Sequence, residues 1–335
     1  MLVAGAAVAA SGCFPDVGGH WPVLSDACRD ADTLPPATDP SPVAEVLRDD
    51  AVTVDAASQR ATLNAGPIRE MLDAALFALV PAGSPWRSLL PDWTPDTRLG
   101  IKINVLNEQC PTSLPLVQAL VGSLVDGLGA SRDQIIVWDR RVDELERAGF
   151  TEDAVGAKVM GTIRTVTDSS GPGYGDPTCG VVAGKAPRLS RILTDLTDLT
   201  INVPVLKTHD ICGVTGALKN IYGLIDNPGD YHQNINTALP QLYRLPPIRR
   251  ALRFHVLDAL IAVTTGGTSS APDTVPKRVL ASADPLALDR RALALAEQLR
   301  DEKQLGLKPV DRSVMGWMEN AQALGLGSLT YEVKG

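Results

Sequence analysis

This chain has little of what marks the common catalytic classes. Aromatic residues make up only 4% of its 335 residues, so the core must rest on Leu, Val, Ile and Ala. Histidine occurs four times and never as an HxH or HExxH pair, which excludes the usual zinc-hydrolase patterns. No CxxC is present, and the five cysteines are not spaced as zinc or iron–sulfur ligands. A GxSxG elbow, a GxxxxGK[ST] loop and a GxGxxG turn are all missing, which argues against a serine hydrolase and a nucleotide-binding enzyme. No basic run is interleaved with aromatics, and the net charge is −8 with a pI near 5.1. Nucleic acid is therefore not an expected partner.

Hydrophobic residues nevertheless reach 44%, enough for a substantial core in one large α/β domain. The first residues, MLVAGAAVAASGC, form a short apolar run of small residues, too short to span a bilayer. They read as a targeting signal or its remnant over 1–13, and the missing basic n-region predicts a natural start upstream of Met1. Ala10-Ser11-Gly12-Cys13 resembles a bacterial lipobox with Cys13 as the lipid-bearing residue; ordinary cleavage after the same small residues is the alternative. Both place the protein outside the cytoplasm, periplasmic or on the outer surface, with membrane contact only through a lipid on Cys13. In that oxidising compartment Cys28, Cys110, Cys179 and Cys212 are an even set, read first as structural disulfides of open connectivity. Metal ligation is the alternative, and Cys110 and Cys212 near the carboxyl-end rim also admit a thiolate or disulfide beside the site.

Residues 14–60 are rich in Pro, Asp and Ser and read as a tether and an irregular wrap. The remainder, 61–335, reads as one domain. A helix is expected over Ile68–Leu79. Then strands at Leu99–Leu106, Gln134–Trp138, Thr162–Val166, Ile201–Leu206, Arg253–Leu257 and Arg278–Ser282 alternate with helices, Pro115–Leu128 among them. That alternation predicts an α/β fold with a mainly parallel sheet and helices on both faces, Rossmann-like and doubly wound. Asp284-Pro285 reads as an N-cap followed by proline at the first helical position. A last helix is expected over Ser313–Leu326.

The most informative stretch is Ile201 to Gly223, INVPVLKTHDICGVTGALKNIYG. Its apolar run suits a strand covered on both faces, and period two places Lys207 and His209 on one face at its end. Open α/β sheets bind ligands outside the carboxyl ends of their strands. In the helix that follows, Gly216, Lys219 and Gly223 share a face apart from Leu218, Ile221 and Ile225, which turns Lys219 toward a crevice beside Asn220. Lys102 and Asn104, Asp139, Lys207 and His209, and Asp258 are expected to converge on that edge from several strands. Ordinary surface lysines and a capping or core histidine are the bland reading. The segment Asn227–Pro247 reads either as a lid or as a solvated loop, and His232 matters only if it folds back near His209.

The run NVPVLKTH…GVTGALKNIYGL resembles the core signature of the family catalogued as domain of unknown function 362. LGIKINV near residue 100, FHVLDAL at 254–260 and VLASADPLALDR at 279–290 add to the resemblance, which covers roughly residues 95–300. It implies an α/β domain, often exported and sometimes joined to iron–sulfur modules, with no settled reaction. It also implies that Asp289 partners Lys207 or Lys219, a surface aspartate being the alternative. Many relatives carry a GNGP-like turn where this chain reads AVTTGGTSSAPDTVP, a departure from the family's pattern at that turn.

Together these features point to an enzyme binding a small anionic or carbonyl-bearing substrate. Lys207, His209 and Lys219 carry the chemistry, and Lys102, Asn104, Asn220, Asp258 and Asp289 bind or orient. The alternative is a metal- or cofactor-binding redox accessory lipoprotein with a redox partner protein. The sequence names neither a metal nor a cofactor.

Overall fold

The structure is a computed structural model that describes residues 37–80, 82–178, 180–305 and 316–335. Its strands, in chain order, begin with β1 (Ser41–Leu47), β2 (Val52–Val54), β3 (Ala61–Leu63), β4 (Leu99–Lys102), β5 (Ile135–Arg141), β6 (Lys158–Ile163) and β7 (Tyr174–Pro177). They continue with β8 (Arg188–Ser190), β9 (Leu199–Asn202), β10 (Val205–His209), β11 (Gly213–Thr215), β12 (Leu252–Val263), β13 (Arg278–Ser282) and β14 (Tyr331–Lys334). Ten of them form one sheet in the order β14-β1-β13-β12-β9-β4-β5-β6, with β10 and β11 extending it beside β12. The run from β12 through β9, β4 and β5 to β6 is parallel.

Both faces of this sheet are buried, which is why its strands read as nearly continuous apolar runs. Along β5, Ile135 and Val137 join one hydrophobic cluster while Ile136 and Trp138 join the other. The first cluster is closed by the helices Ala65–Leu79 and Leu114–Leu128 through residues such as Met71, Leu72, Leu116 and Leu120. The second is closed by the helices Ile235–Arg244, Pro285–Glu302 and Gly316–Ala323 through Leu239, Leu242, Leu288, Leu295 and Trp317. The expected α/β fold with helices on both faces is therefore present.

Chain order fixes where a crevice opens. From β4 the chain builds outward through β5 to β6, then returns to β9 on the other side of β4 and continues to β12 and β13. The strand order reverses between β4 and β9, and such a switch point leaves a gap at the strands' carboxyl ends.

Four expectations are corrected. Residues 41–47 are no irregular wrap: β1 lies inside the sheet, antiparallel to β13 and parallel to β14. The strand at 201–206 is broken after Asn202, because Pro204 has no N–H for the ladder; its carbonyl takes the N–H of Asp258 instead. The strand at 253–257 does not end before Asp258 but runs to Val263, with a register shift where it leaves β9 for β10. The segment 227–247 is neither a free lid nor a solvated loop: it carries the helix Ile235–Arg244, whose Ile235, Ala238, Leu239, Leu242 and Tyr243 are buried.

Asp284 behaves as its position before Pro285 predicts, capping the N–H groups of Leu286 and Ala287. Its other oxygen accepts from Ser41 Oγ at 2.6 Å and Ser328 N at 2.8 Å, so one carboxylate ties β1 and the C-terminal segment to a helix. Replacing Asp284 by Ala removes the cap and leaves buried donors unmet, an expected loss of about 2–4 kcal/mol. A urea midpoint unchanged by this substitution would contradict that role.

Candidate functional site

The gap between β4 and β9 opens into a cavity of about 190 Å³ at the carboxyl edge of the sheet. Lys102, Asn104, Asp139, Lys207, His209, Lys219, Asn220 and His232 are among its lining residues. Of the residues expected there, the structure thus brings Lys102, Asn104, Asp139, Lys207, His209, Lys219 and Asn220 together.

The floor is an ion pair between neighbouring strands. Lys102 Nζ lies 2.7 Å from Asp139 Oδ1, both side chains almost fully buried, and donates to Ile103 O at 2.7 Å. Asp139 also accepts from Val105 N and Arg140 N, at 2.8 and 2.7 Å. Gly223 closes over this pair: a Cβ there would stand 2.7 Å from Lys102 Nζ and 2.9 Å from Asp139 Oδ1. Glycine is the residue that permits such an approach.

Lys207 heads a chain of amides. Its Nζ donates to Asn104 Oδ1 at 2.9 Å, Asn104 Nδ2 to Asn220 Oδ1 at 3.0 Å, and Asn220 Nδ2 to Asn202 Oδ1 at 2.7 Å. Asn202 Nδ2 donates to Ala217 O and lies 3.2 Å from His255 Nδ1, while His255 Nε2 lies 3.2 Å from Tyr243 Oη. Thr112 fixes the head of the chain, its Oγ1 accepting from Asn104 N and its N–H donating to Asn104 O. Burial depresses the Lys207 pKa, and pushes the wholly buried His255 down to about 3.

Lys219 lines the same cavity. Its Nζ lies 3.2 Å above the Tyr222 ring centroid and 3.2 Å from His232 Nε2. His232 Nδ1 points to Pro228 O at 3.0 Å, so that nitrogen carries the ring hydrogen and Nε2 is the acceptor. Burial lowers the Lys219 pKa to about 7. His232 has folded back onto His209, the rings stacked with centroids 6.0 Å apart. His209 Nδ1 receives the N–H groups of Ile211 and Cys212, leaving its hydrogen on Nε2; burial first, then Lys219, lowers its pKa to about 4.

Two aspartates do not join the cavity wall. Asp258, wholly buried, accepts from Ser113 N at 2.6 Å and Leu260 N at 3.0 Å, because β12 continues past it. Asp289 partners neither lysine. It is buried and receives the N–H groups of Ala217 and Leu218, capping the short helix Ala217–Asn220. That is why Gly216 tolerates no Cβ, which would meet Asp289 Oδ1 at 2.0 Å. Cys110 and Cys212 are buried free thiols, not disulfides, and burial pushes their pKa values up to about 11 and about 12. Neither supplies a thiolate. Cys13, Cys28 and Cys179 lie outside the described residues. Among the described residues no three His, Cys, Asp or Glu are grouped to hold a metal ion. No described helix is long and apolar enough to cross a membrane.

Several contributors were not picked out from the sequence. Arg140 lines the cavity while donating to Tyr174 Oη and Asp226 O, and Glu144, pushed up to about 7 by burial and then by Asp139, lines it beside Arg141. Tyr222 lay inside the quoted signature, but nothing in its spacing showed that its face would carry Lys219. In the turn after β12, Thr268 reaches the cavity wall, and Gly266 and Gly267 adopt φ near +80°.

Fold and site define an α/β protein with a cation-lined cavity at the switch point of a mainly parallel sheet. The chain belongs to the family described as domain of unknown function (DUF362), which matches residues 99–294. A solved structure similar to it is that of a Thermotoga maritima protein determined by the Northeast Structural Genomics Consortium. The two share 13% sequence identity at a TM-score of 0.41, over 72% of this chain and 59% of that one. No curated protein matches the chain.

Two predictions follow from the buried charges. Asp139→Ala strands Lys102 without a counter-ion, at an expected cost of about 3–5 kcal/mol by urea unfolding. His255 stays neutral in the fold but is protonated below about pH 6.5 when unfolded, so it makes stability fall as pH drops from about 6.5 toward about 3. His255→Phe should flatten that dependence by up to about 1.4 kcal/mol per pH unit. An unchanged slope would remove His255 from the account.

Proposed function

We propose that this protein is an enzyme whose cavity binds a small organic anion, with Lys207 as the principal anion-binding cation. One observation carries the reading. Of the three lysines lining the cavity, only Lys102 is ion-paired with a carboxylate among the described residues. Lys207 has an amide partner, and Lys219 a histidine nitrogen and a ring face. Buried cations without counter-ions are expensive, and a bound anion relieves that cost.

The roles differ in detail from those expected at first. His209 presents Nε2–H and is a hydrogen-bond donor to a substrate oxygen, since its Nδ1 is engaged by backbone N–H groups. Proton acceptance falls to His232 Nε2, which faces Lys219. Asn220 spends its oxygen on Asn104 and its amide on Asn202, so it positions Asn104 and Lys207. The reading of a metal- or cofactor-binding redox accessory protein has less support, because Lys219 sits beside both histidines and like charges repel a cation. Export, with attachment through Cys13, belongs to the same proposal and rests on the Ala10–Cys13 run.

Small mono- and dicarboxylic acids should raise the unfolding temperature of the full chain. Lys207→Met should weaken the best of them about 10- to 100-fold, the worth of a charge-assisted hydrogen bond, while folding as well as the parent or better. Equal affinity in parent and variant, or no acid that stabilises the parent, would reject this reading.

A further inference from the structure

Lys219 is placed as a nucleophile more than as a counter-ion. It is buried on the cavity wall, and no carboxylate among the described residues is ion-paired with it. The Tyr222 ring beneath Nζ and the His232 nitrogen beside it hold the amine in place without fixing a negative charge on it. The acceptor is defined by geometry, since Pro228 O takes the hydrogen of His232 Nδ1 and leaves Nε2 open to a proton from the amine. Across the cavity lining, Lys207 is held by Asn104 and offers its remaining N–H groups to an anion. His209 adds a neutral N–H donor whose ring is stacked against that of His232.

An electrophile matching this set carries a carboxylate for one lysine and a carbonyl for the other. We propose that the cavity takes a small 2-oxo acid and that Lys219 condenses with its keto carbon to form an imine, with Lys207 holding the carboxylate. The inference rests on the organic-anion reading and adds to it a substrate class and a covalent step. In that step the Nζ lone pair forms a bond to the carbonyl carbon, and the C=O π pair moves to oxygen, which takes up a proton from solvent. The amine gives up its proton to His232 Nε2. The carbinolamine oxygen, protonated again by His232, leaves as water when the C–O bond breaks, and the nitrogen lone pair forms the C=N bond of a protonated imine. No oxidant or reductant is consumed. The protonated imine is a stronger electron sink than the ketone, and this is how an amine activates a carbonyl substrate. A Lys219 pKa near 7 fits such a role, because part of the amine is then unprotonated at neutral pH.

The test is reductive trapping. The full chain is incubated with pyruvate and cyanoborohydride, and modified lysines are located by peptide mass spectrometry. Lactate serves as the same carboxylate without the keto group, and acetone as a ketone without the carboxylate. The inference expects one pyruvate adduct, on Lys219, suppressed by excess lactate and lost in Lys219→Met. It expects Lys207→Met to reduce trapping of pyruvate much more than trapping of acetone. Pyruvate that stabilises the protein against heat yet leaves Lys219 unmodified overturns the covalent step and spares the anion site. Pyruvate and lactate that neither stabilise nor modify it overturn both. Adducts spread over surface lysines at the rate seen on Lys219 also overturn the step, a result read from the parent protein whether or not a variant folds.

Discussion

Burying three amines in one cavity, with a carboxylate among the described residues ion-paired to only one of them, is the constraint around which this site is arranged. The Lys102–Asp139 pair closes the floor between β4 and β5 and is sealed by Gly223. Lys207 and Lys219 are left to amides, a ring face and a histidine. The fold answers by holding the amides beside Lys207. Asn104, Asn220 and Asn202 form a line that ends on His255 and Tyr243, deep in the core. Such a line orients the oxygen facing Lys207, and it leaves the asparagines little freedom to swing toward anything else. On the proposed reading, a bound anion meets the remaining electrostatic demand.

The break between β9 and β10 turns this demand into a place. Asn202 is the last residue of β9 to pair with β4, opposite Lys102. Pro204 ends that ladder, β12 continues alone as partner of β10, and the chain turns through β11 into the helix Ala217–Asn220. Lys207 and Lys219 thereby reach one cavity from opposite sides of a tight strand–turn–helix. Asp289 anchors the turn by capping that helix, a structural task that Asp284 performs for its own helix.

Much of this was legible in the residues. The apolar run of VLAS places β13 where the structure has it, LGIKINV and the run at 201–206 locate β4 and β9 but not their ends at Lys102 and Asn202, and the glycines at 216 and 223 mark close approaches that exist. The demand of Lys102 for a partner was legible too, since a charge inside a covered strand needs one. What stayed hidden depends on long-range pairing. Nothing in SPVAEVL announces that it inserts between β13 and β14. The leucine stripe of the helix Pro285–Glu302 hid Asp289, because that helix is buried on a second side as well. Asp258 looks like a strand end in the sequence because nothing local shows that β12 continues to Val263. The amide line could not be read at all, since it joins residues far apart in the chain that become neighbours only when β4, β9 and β12 are placed.

The central claim is that the cavity's unpaired amines await an anion, and calorimetry tests it most directly. A carboxylic acid that binds the full chain is titrated at neutral pH in buffers of different ionisation enthalpy. An amine whose pKa burial has lowered regains its proton when an anion arrives, so binding should take up protons from the buffer. Net uptake that disappears in Lys219→Met is the predicted result. Binding with no exchange of protons at any pH near neutrality would contradict the account.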